Sequence, residues 1–594
     1  MNRRHFLKQA FVGSLTLTAY SAGVGGRAQA GPKGPRRHCI NFAKGGGIDQ
    51  FWMASSMAPS QLRSGAHPAL ESGGAAAGSL QIQRVGPSMA TDYLTLREAE
   101  NPAQFYTSQG RSHYFGMGFH QLFRNTHFDS GAELLSKMCV WKGMSSPCRH
   151  ELDNPVLQHG VASSYALSFT ALVSQRLAMN SARTLHYVVL ADNPSAAYLN
   201  FAMNTDFASP SCIPGIPGLA ALTGRDPNDF NLKSRRDLIA NAVRNLSGNI
   251  LSSRLKLKSS LSSLGVFSNS FQASATVAGS FLDQDIELLY LRNRFLNSAY
   301  AGTCTYFGIS QNGGSGEMYT ALSALPANGG SGLGSGNDYI SSLRTGLVYL
   351  TSHPLPDLTS YRSRKRSGLD TTSDEAILRP LLTANINSLQ RLYPGLVDKF
   401  ALSAYLVIQN LSAVVDFRDG AEMDIIDDAH HTVLPSRVKE MAFFSCYREL
   451  MLALDEVKDA EGVMPGETLL DATHIVMHTE MDRTAGVLDN TLGVTGGTNH
   501  SSSSTTVLMA GYGIHGGSVI GDLHKGVNDG NEFGGNFTSA LPINTSTGLP
   551  SAGGSLVTLQ SLAPTLVEMF DAKLPPQQIS AFGFVSAVIK KRMT

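Results

Sequence analysis

The chain has 594 residues, of which 42% are hydrophobic and 16% charged, with 47 Lys and Arg against 46 Asp and Glu. That length fits one very large α/β domain or several ordinary ones. A net charge of +1 gives no electrostatic case for nucleic acid, and no basic block outside the first 37 residues is expected to supply one.

Export signals come first in the chain. Asn2-Arg3-Arg4-His5-Phe6-Leu7-Lys8 matches the twin-arginine pattern, a mild apolar segment runs from Ala10 to Ala22, and Ala28-Gln29-Ala30 fits a small-x-small cleavage site. Residues 1–30 read as a twin-arginine signal peptide handled by the twin-arginine translocase, so the mature chain is expected in the periplasm or secreted. The apolar segment is too short and too rich in Ser and Thr to span a bilayer, and no later stretch reaches about 18 apolar residues, so no membrane span is expected in the mature chain.

Arg37 to Ala43 is a short apolar strand, and Gly45-Gly46-Gly47-Ile48-Asp49 follows it at once. Glycines at a strand tip let the backbone turn sharply beside a bound group, so Asp49 is either a site carboxylate or a solvated turn residue. Cys139 to Met144 reads as a second strand and Thr184 to Leu190 as a third, with a helix over Tyr165 to Leu177 between them. This is the β-α-β unit of a parallel sheet. Past the second strand come Arg149, His150, Glu151, Asp153 and His159, which either wall a site or cap the following helix.

The middle of the chain reads as a helical and Gly/Ser-rich insertion around 209–370 within a single large domain over 36–594. Phe230 to Leu264 and Asp283 to Asn297 have helical spacing, and Gly313 to Gly336 reads as a flexible surface loop too polar to pack a core. Asp374 to Leu392 and the apolar Leu402 to Leu411 read as helices, the second one buried. Leu411 to Phe417, with Asp416 inside it, reads as a fourth strand. After it Asp419, Glu422, Asp424, Asp427, Asp428, His430 and His431 fall within thirteen residues. The cluster is either a solvated acidic loop or a metal site. Imidazole beside carboxylate suits zinc, manganese or iron better than calcium or magnesium.

An amphipathic helix over Val438 to Lys458 leads to the stretch with the most chemistry. A strand, Thr473 to His478, runs into Glu480, Asp482 and Arg483; a Gly/Thr/Asn loop ends in His500; a further strand covers Thr506 to Ala510. In open α/β sheets functional groups collect outside the carboxyl ends of strands. Six cysteines without a CxxC pair exclude a zinc ribbon or iron–sulfur site on spacing, and leave open either disulfides, Cys139 with Cys148 being nearest, or buried thiols. Alternating strands and helices argue for an α/β fold with one large, mostly parallel sheet and helices on both faces.

Glu480-Met-Asp482-Arg483-Thr484, Gly497-Thr-Asn499-His500 and Gly511-Tyr-Gly513-Ile-His-Gly516-Gly517-Ser-Val519-Ile-Gly521 resemble the blocks of an exported bacterial family called domain of unknown function 1501, of the alkaline phosphatase/sulfatase-like superfamily. Gly45 to Asp49, Arg149 to Gly160 and Asp428-Ala-His430 agree in order. The resemblance implies an alkaline-phosphatase-like fold whose cleft holds divalent metal, zinc or manganese, on Asp49, Asp428, His430, Glu480, Asp482 and His500. It implies a hydrolase of phosphate or sulfate esters, with Arg483 or His150 binding the anion. The family's Phe-Gly is Met481-Asp482 here, its Arg-Asp-His is Thr498-Asn499-His500, and its nucleophile has no clear counterpart; Ser55 and Ser56 are the nearest hydroxyls. The alternative is a non-catalytic exported protein on the same fold, with a degenerate metal site, binding a cell-surface partner or glycan.

Overall fold

A computed structural model of the chain describes residues 36–44, 48–49, 105–108, 111–114, 136–146, 156, 160, 168–178, 185–191, 211–214, 285–325, 335–389, 392–393, 396–419, 433–458, 460, 462–479, 482–483, 500–501, 505–525, 538–572 and 583–590. Residues 1–35, the expected helices at Phe119 to Asn125 and Phe230 to Leu264, and Ser55 and Ser56 lie outside them.

The strands, in chain order, are β1 His38–Lys44, β2 Ile48–Asp49, β3 Phe105–Ser108, β4 Arg111–Tyr114, β5 Met138–Met144, β6 Leu185–Ala191, β7 Ser211–Pro214, β8 Ile309–Ser310, β9 Gly313–Gly314, β10 Ser412–Asp419, β11 Thr473–Thr479, β12 Asp482–Arg483, β13 His500–Ser501, β14 Thr505–Gly511, β15 Ser518–Ile520, β16 Leu523–Lys525 and β17 Thr538–Ala540. Eight of them form the central sheet in the order β15-β5-β14-β11-β1-β10-β6-β7. Within it β14 alone runs against the other seven, pairing antiparallel with both β11 and β5. The protein is therefore α/β with a mostly parallel, mixed sheet.

Strands buried on both faces read as near-continuous apolar runs, and the pleat sends alternate residues to opposite faces. Ile40 and Phe42 of β1 join one core cluster and Cys39 joins the other. The first cluster packs under α2 Ile286–Tyr306, α3 Glu317–Ser323, α4 Gly336–Ser352, α5 Thr359–Arg366, α6 Thr372–Leu389, α7 Leu396–Ile408 and α8 Val433–Asp455. The second packs under α1 Phe169–Ala178 and α9 Leu562–Met569. At the centre of the thicker face Phe42 stacks on Phe400 with ring centroids 4.8 Å apart. Gly302 lets α2 approach α8, since a Cβ there would stand 1.8 Å from Ser445 Oγ.

Three readings of the sequence change. The segments β5, α1 and β6 do not make a local βαβ unit: the two strands run in the same direction but are separated by β14, β11, β1 and β10. Hydrophobic pattern specifies burial, not which strand lies beside which. The tract from Gly313 to Gly336 is not a plain surface loop. Its described part forms β9 and α3, and Met318, Ala321 and Leu322 enter the core because one turn of apolar spacing sits inside the Gly/Ser composition. A basic run does lie beyond residue 37: α5 carries Arg362, Arg364, Lys365 and Arg366. Three of these face acids: Arg362 pairs with Glu287 at 2.8 Å, Arg364 with Asp374 at 3.4 Å and Lys365 with Asp285 at 3.9 Å. Among the described residues no helix is long and apolar enough to cross a membrane.

Candidate functional site

Gly45, Gly46 and Gly47 separate β1 from β2 in the sequence, and β11 ends one residue before Glu480 and three before Asp482. These short segments pair into a second, three-stranded sheet in the order β13-β12-β2. Asp482–Arg483 pairs parallel with Ile48–Asp49 and antiparallel with His500–Ser501. Arg483 is the register partner of Asp49 on one side and of His500 on the other. Three residues singled out in the sequence thus form one row, acid–guanidinium–imidazole, with the guanidinium residue in the middle. The adjacent row is Ile48, Asp482 and Ser501. Asp482 is thus one row away from Asp49 and His500 in the backbone pairing.

The central sheet explains why segments so far apart in sequence meet. Chain leaves β1, β5, β10 and β11 at one end of the sheet, and the reversed β14 is entered at that same end. Asp49 follows β1, Glu480 follows β11, Asp428 and His430 follow β10, His150 follows β5 and His500 precedes β14. Those strands are β5, β14, β11, β1 and β10, five consecutive neighbours in the sheet. The flanking β15, β6 and β7 carry none of the candidates. His150, Asp428, His430 and Glu480 themselves lie outside the described residues.

Across the middle of β1, β10 and β6 runs a buried polar chain that the sequence reading passed over. Asn41 Nδ2 donates to Asp416 Oδ1 at 2.9 Å, and Tyr187 Oη donates to Asp416 Oδ2 at 3.1 Å. Thr170 Oγ1 lies 2.8 Å from Tyr187 Oη and 2.9 Å from Ser168 Oγ. Asn41, Asp416 and Ser168 to Thr170 are all buried. The one available signal was a carboxylate inside an apolar strand, since buried charge demands partners. Asp416 makes itself felt on Cys39, whose thiol burial and this neighbouring carboxylate together push well above its usual range. His478, the penultimate residue of β11, is also fully buried and is the register partner of Ala43.

At the opposite end of β11, His474 Nδ1 lies 2.9 Å from Tyr512 O, so the ring donates from Nδ1. Burial lowers its pKa to about 4, the hydrogen bond opposing that shift in part. His474 is therefore neutral at ordinary pH. Among the described residues no group of three or more His, Cys, Asp or Glu is set to hold a metal ion. The donor set of the candidates, carboxylates with imidazoles, fits zinc or manganese by chemical type. No protein-family model matches the chain, and no curated protein matches it.

Proposed function

We propose that the protein is an exported, metal-dependent hydrolase of phosphate or sulfate esters, on an alkaline-phosphatase-like version of the α/β fold. The observation that supports this most is that five neighbouring strands have at one end of the central sheet the termini next to which, in sequence, Asp49, Asp428, His430, Glu480, His500 and His150 fall. Asp49, Asp428, His430, Glu480 and His500 would hold the metal, with Asp482 a sixth donor. When bound, a divalent metal polarises the ester oxygen and lowers the pKa of the attacking group.

The chain's own contribution begins with Arg483. Its charge is permanent, and its planar fork of donors matches two oxygens of a phosphate or sulfate. Its backbone register partners are Asp49 and His500, two of the proposed ligands, which supports this role. Arg483 thus recognises the ester's anionic head and offsets charge building on its oxygens. His150, which follows β5 in the sequence, is the second anion-binding group.

Metal analysis of the purified, refilled protein and hydrolysis of an aryl phosphate, a phosphodiester and an aryl sulfate test the reading. The expected result is bound zinc or manganese and turnover of at least one ester, falling by about 100-fold or more in Arg483→Ala. A folded protein that takes up neither metal sinks it.

A second reading is a non-catalytic exported protein that uses the same end of the sheet to bind a cell-surface partner or glycan. It is favoured by the row placement of Asp482, which pairs with Ile48 and Ser501 rather than with Asp49 and His500. Ester hydrolysis abolished by Glu480→Ala would overturn this second reading.

A further inference from the structure

The ends of α7 and α8 lead into the starts of β10 and β11, so they lie at the amino ends of the central strands, away from the candidate site. There a groove of about 480 Å³ opens between α2, α5, α7 and α8. That volume lies within the range of small-molecule sites. Leu291, Ile408 and Val457 give it an apolar floor, and its cations are Arg294, Arg362, Lys365, Arg366 and Lys458.

Only two acids line it, Glu287 and Glu456, and both are committed. Glu287 accepts two hydrogen bonds from Arg362 Nε and one from Nη2. Glu456 takes both Nη groups of Arg294, at 2.6 and 2.7 Å. Lys365 reaches Tyr361 Oη at 3.2 Å and its nearest carboxylate, Asp285, only at 3.9 Å. Arg366 and Lys458 are exposed and make no ion pair with any described residue.

These cations are not needed as helix caps either. Arg36 reaches in from the chain start and donates to the carbonyls of Val407 and Ile408, closing α7. The Leu454 carbonyl of α8 already accepts from Val457 and Leu470. The groove therefore keeps two cations without an ion pair, Arg366 and Lys458, and a third, Lys365, with only a long one, over an apolar floor, and an anion entering it offsets their positive charge.

We propose that this groove is a binding site for small organic anions, with an apolar body on the Leu291, Ile408 and Val457 floor and a phosphate, phosphonate, sulfate or sulfonate head among Lys365, Arg366 and Lys458. The site is separate from the candidate metal site and does not depend on the hydrolase reading.

Titration calorimetry of the whole protein with phenylphosphonate, which has a ring, a dianionic head and no ester to hydrolyse, tests it. The expected result is saturable binding that weakens with added salt, with a component that weakens about tenfold or more in Arg366→Glu/Lys458→Glu and persists in Arg483→Ala. Arg366→Gln/Lys458→Gln gives the same direction if the charge reversal unfolds the protein. The assignment is overturned if wild type shows no saturable binding, if both double variants bind as wild type does, or if Arg483→Ala alone abolishes it. Inorganic phosphate bound as tightly as phenylphosphonate overturns the apolar part of the site.

Discussion

Asn41 donates to Asp416 at 2.9 Å, and the same two residues are backbone register partners on adjacent parallel strands. One side-chain bond thus reports the alignment of β1 and β10, the strands that lead to Asp49 and to the Asp428/His430 segment. A slip of β1 by one residue would turn Asn41 to the opposite face of the sheet from Asp416.

Replacing Asp416 by Leu keeps the branched outline and removes both acceptors, so the buried Asn41 amide loses its acceptor and the Tyr187 hydroxyl keeps only Thr170 Oγ1. The expected loss is about 2 to 4 kcal/mol, from a stranded amide at about 1 to 3 kcal/mol and a lost hydroxyl bond at about 1 kcal/mol. Tyr187→Phe removes only one hydroxyl and should cost about 1 kcal/mol. Urea unfolding midpoints decide this, and a stability equal to wild type in Asp416→Leu would remove the role given to the chain of polar groups.

The neutral His474 makes stability depend on pH. Its folded pKa, about 4, lies below the ordinary histidine value of 6.5. Between these values the unfolded chain binds the proton and the folded one does not, so stability falls as pH drops through that window and is fully present above it. The difference amounts to something on the order of 3 kcal/mol. His474→Gln keeps a donor for the Tyr512 carbonyl and removes the titration. The melting temperature of this variant should change less than that of wild type between pH 6.5 and pH 4; parallel pH profiles would contradict the assignment.

Cysteine reactivity follows from burial. Cys39, Cys139, Cys304 and Cys446 are free and buried. Burial raises the Cys139 and Cys304 thiols to about 12, and Ser518 Oγ donates to Cys139 Sγ at 3.2 Å. The native protein should label with a thiol reagent at no more than two of its six cysteines, Cys148 and Cys212, and the other four only after unfolding. Native labelling of Cys39 or Cys446 would count against the packing of the two core faces.

The row in the small sheet separates two acids that the sequence treats alike. Asp49 and His500 flank Arg483, whereas Asp482 sits in the neighbouring row. Asp49→Ala and His500→Ala should lower zinc or manganese content, with Asp482→Ala losing less. Metal content that drops most in Asp482→Ala reverses this order.

Most of the sheet is legible in the sequence because its strands are buried on both faces and spell β-branched, apolar runs. Thr473 to His478 and Leu411 to Phe417 lie within a residue or two of β11 and β10. Direction is not legible. The run at Thr505–Gly511 looks the same whichever way it pairs, and only the reversal of β14 puts His500 at the same end as Glu480. The edge strand Ser211–Pro214 hides in a Pro-rich stretch because an edge tolerates proline. The two-residue strands β2, β12 and β13 are too short to have a period at all. Candidate residues were found there by their chemistry, and their order in the row came from pairing. The basic helix Thr359–Arg366 carries one buried apolar residue, Tyr361, which is too little for a periodic signal.

The row Asp49–Arg483–His500 also has a consequence for the order of assembly. Asp49 and Arg483 are 434 positions apart, and each stretch is held only after its parent strand has docked. Contacts of such separation cost the most loop entropy and form after the local ones. The site is then the last part of the molecule to close, so its completion marks the whole sheet as folded. In pulsed hydrogen exchange during refolding, protection at Arg483 should trail protection at Ile475, and simultaneous protection would show that the two sheets form as one unit.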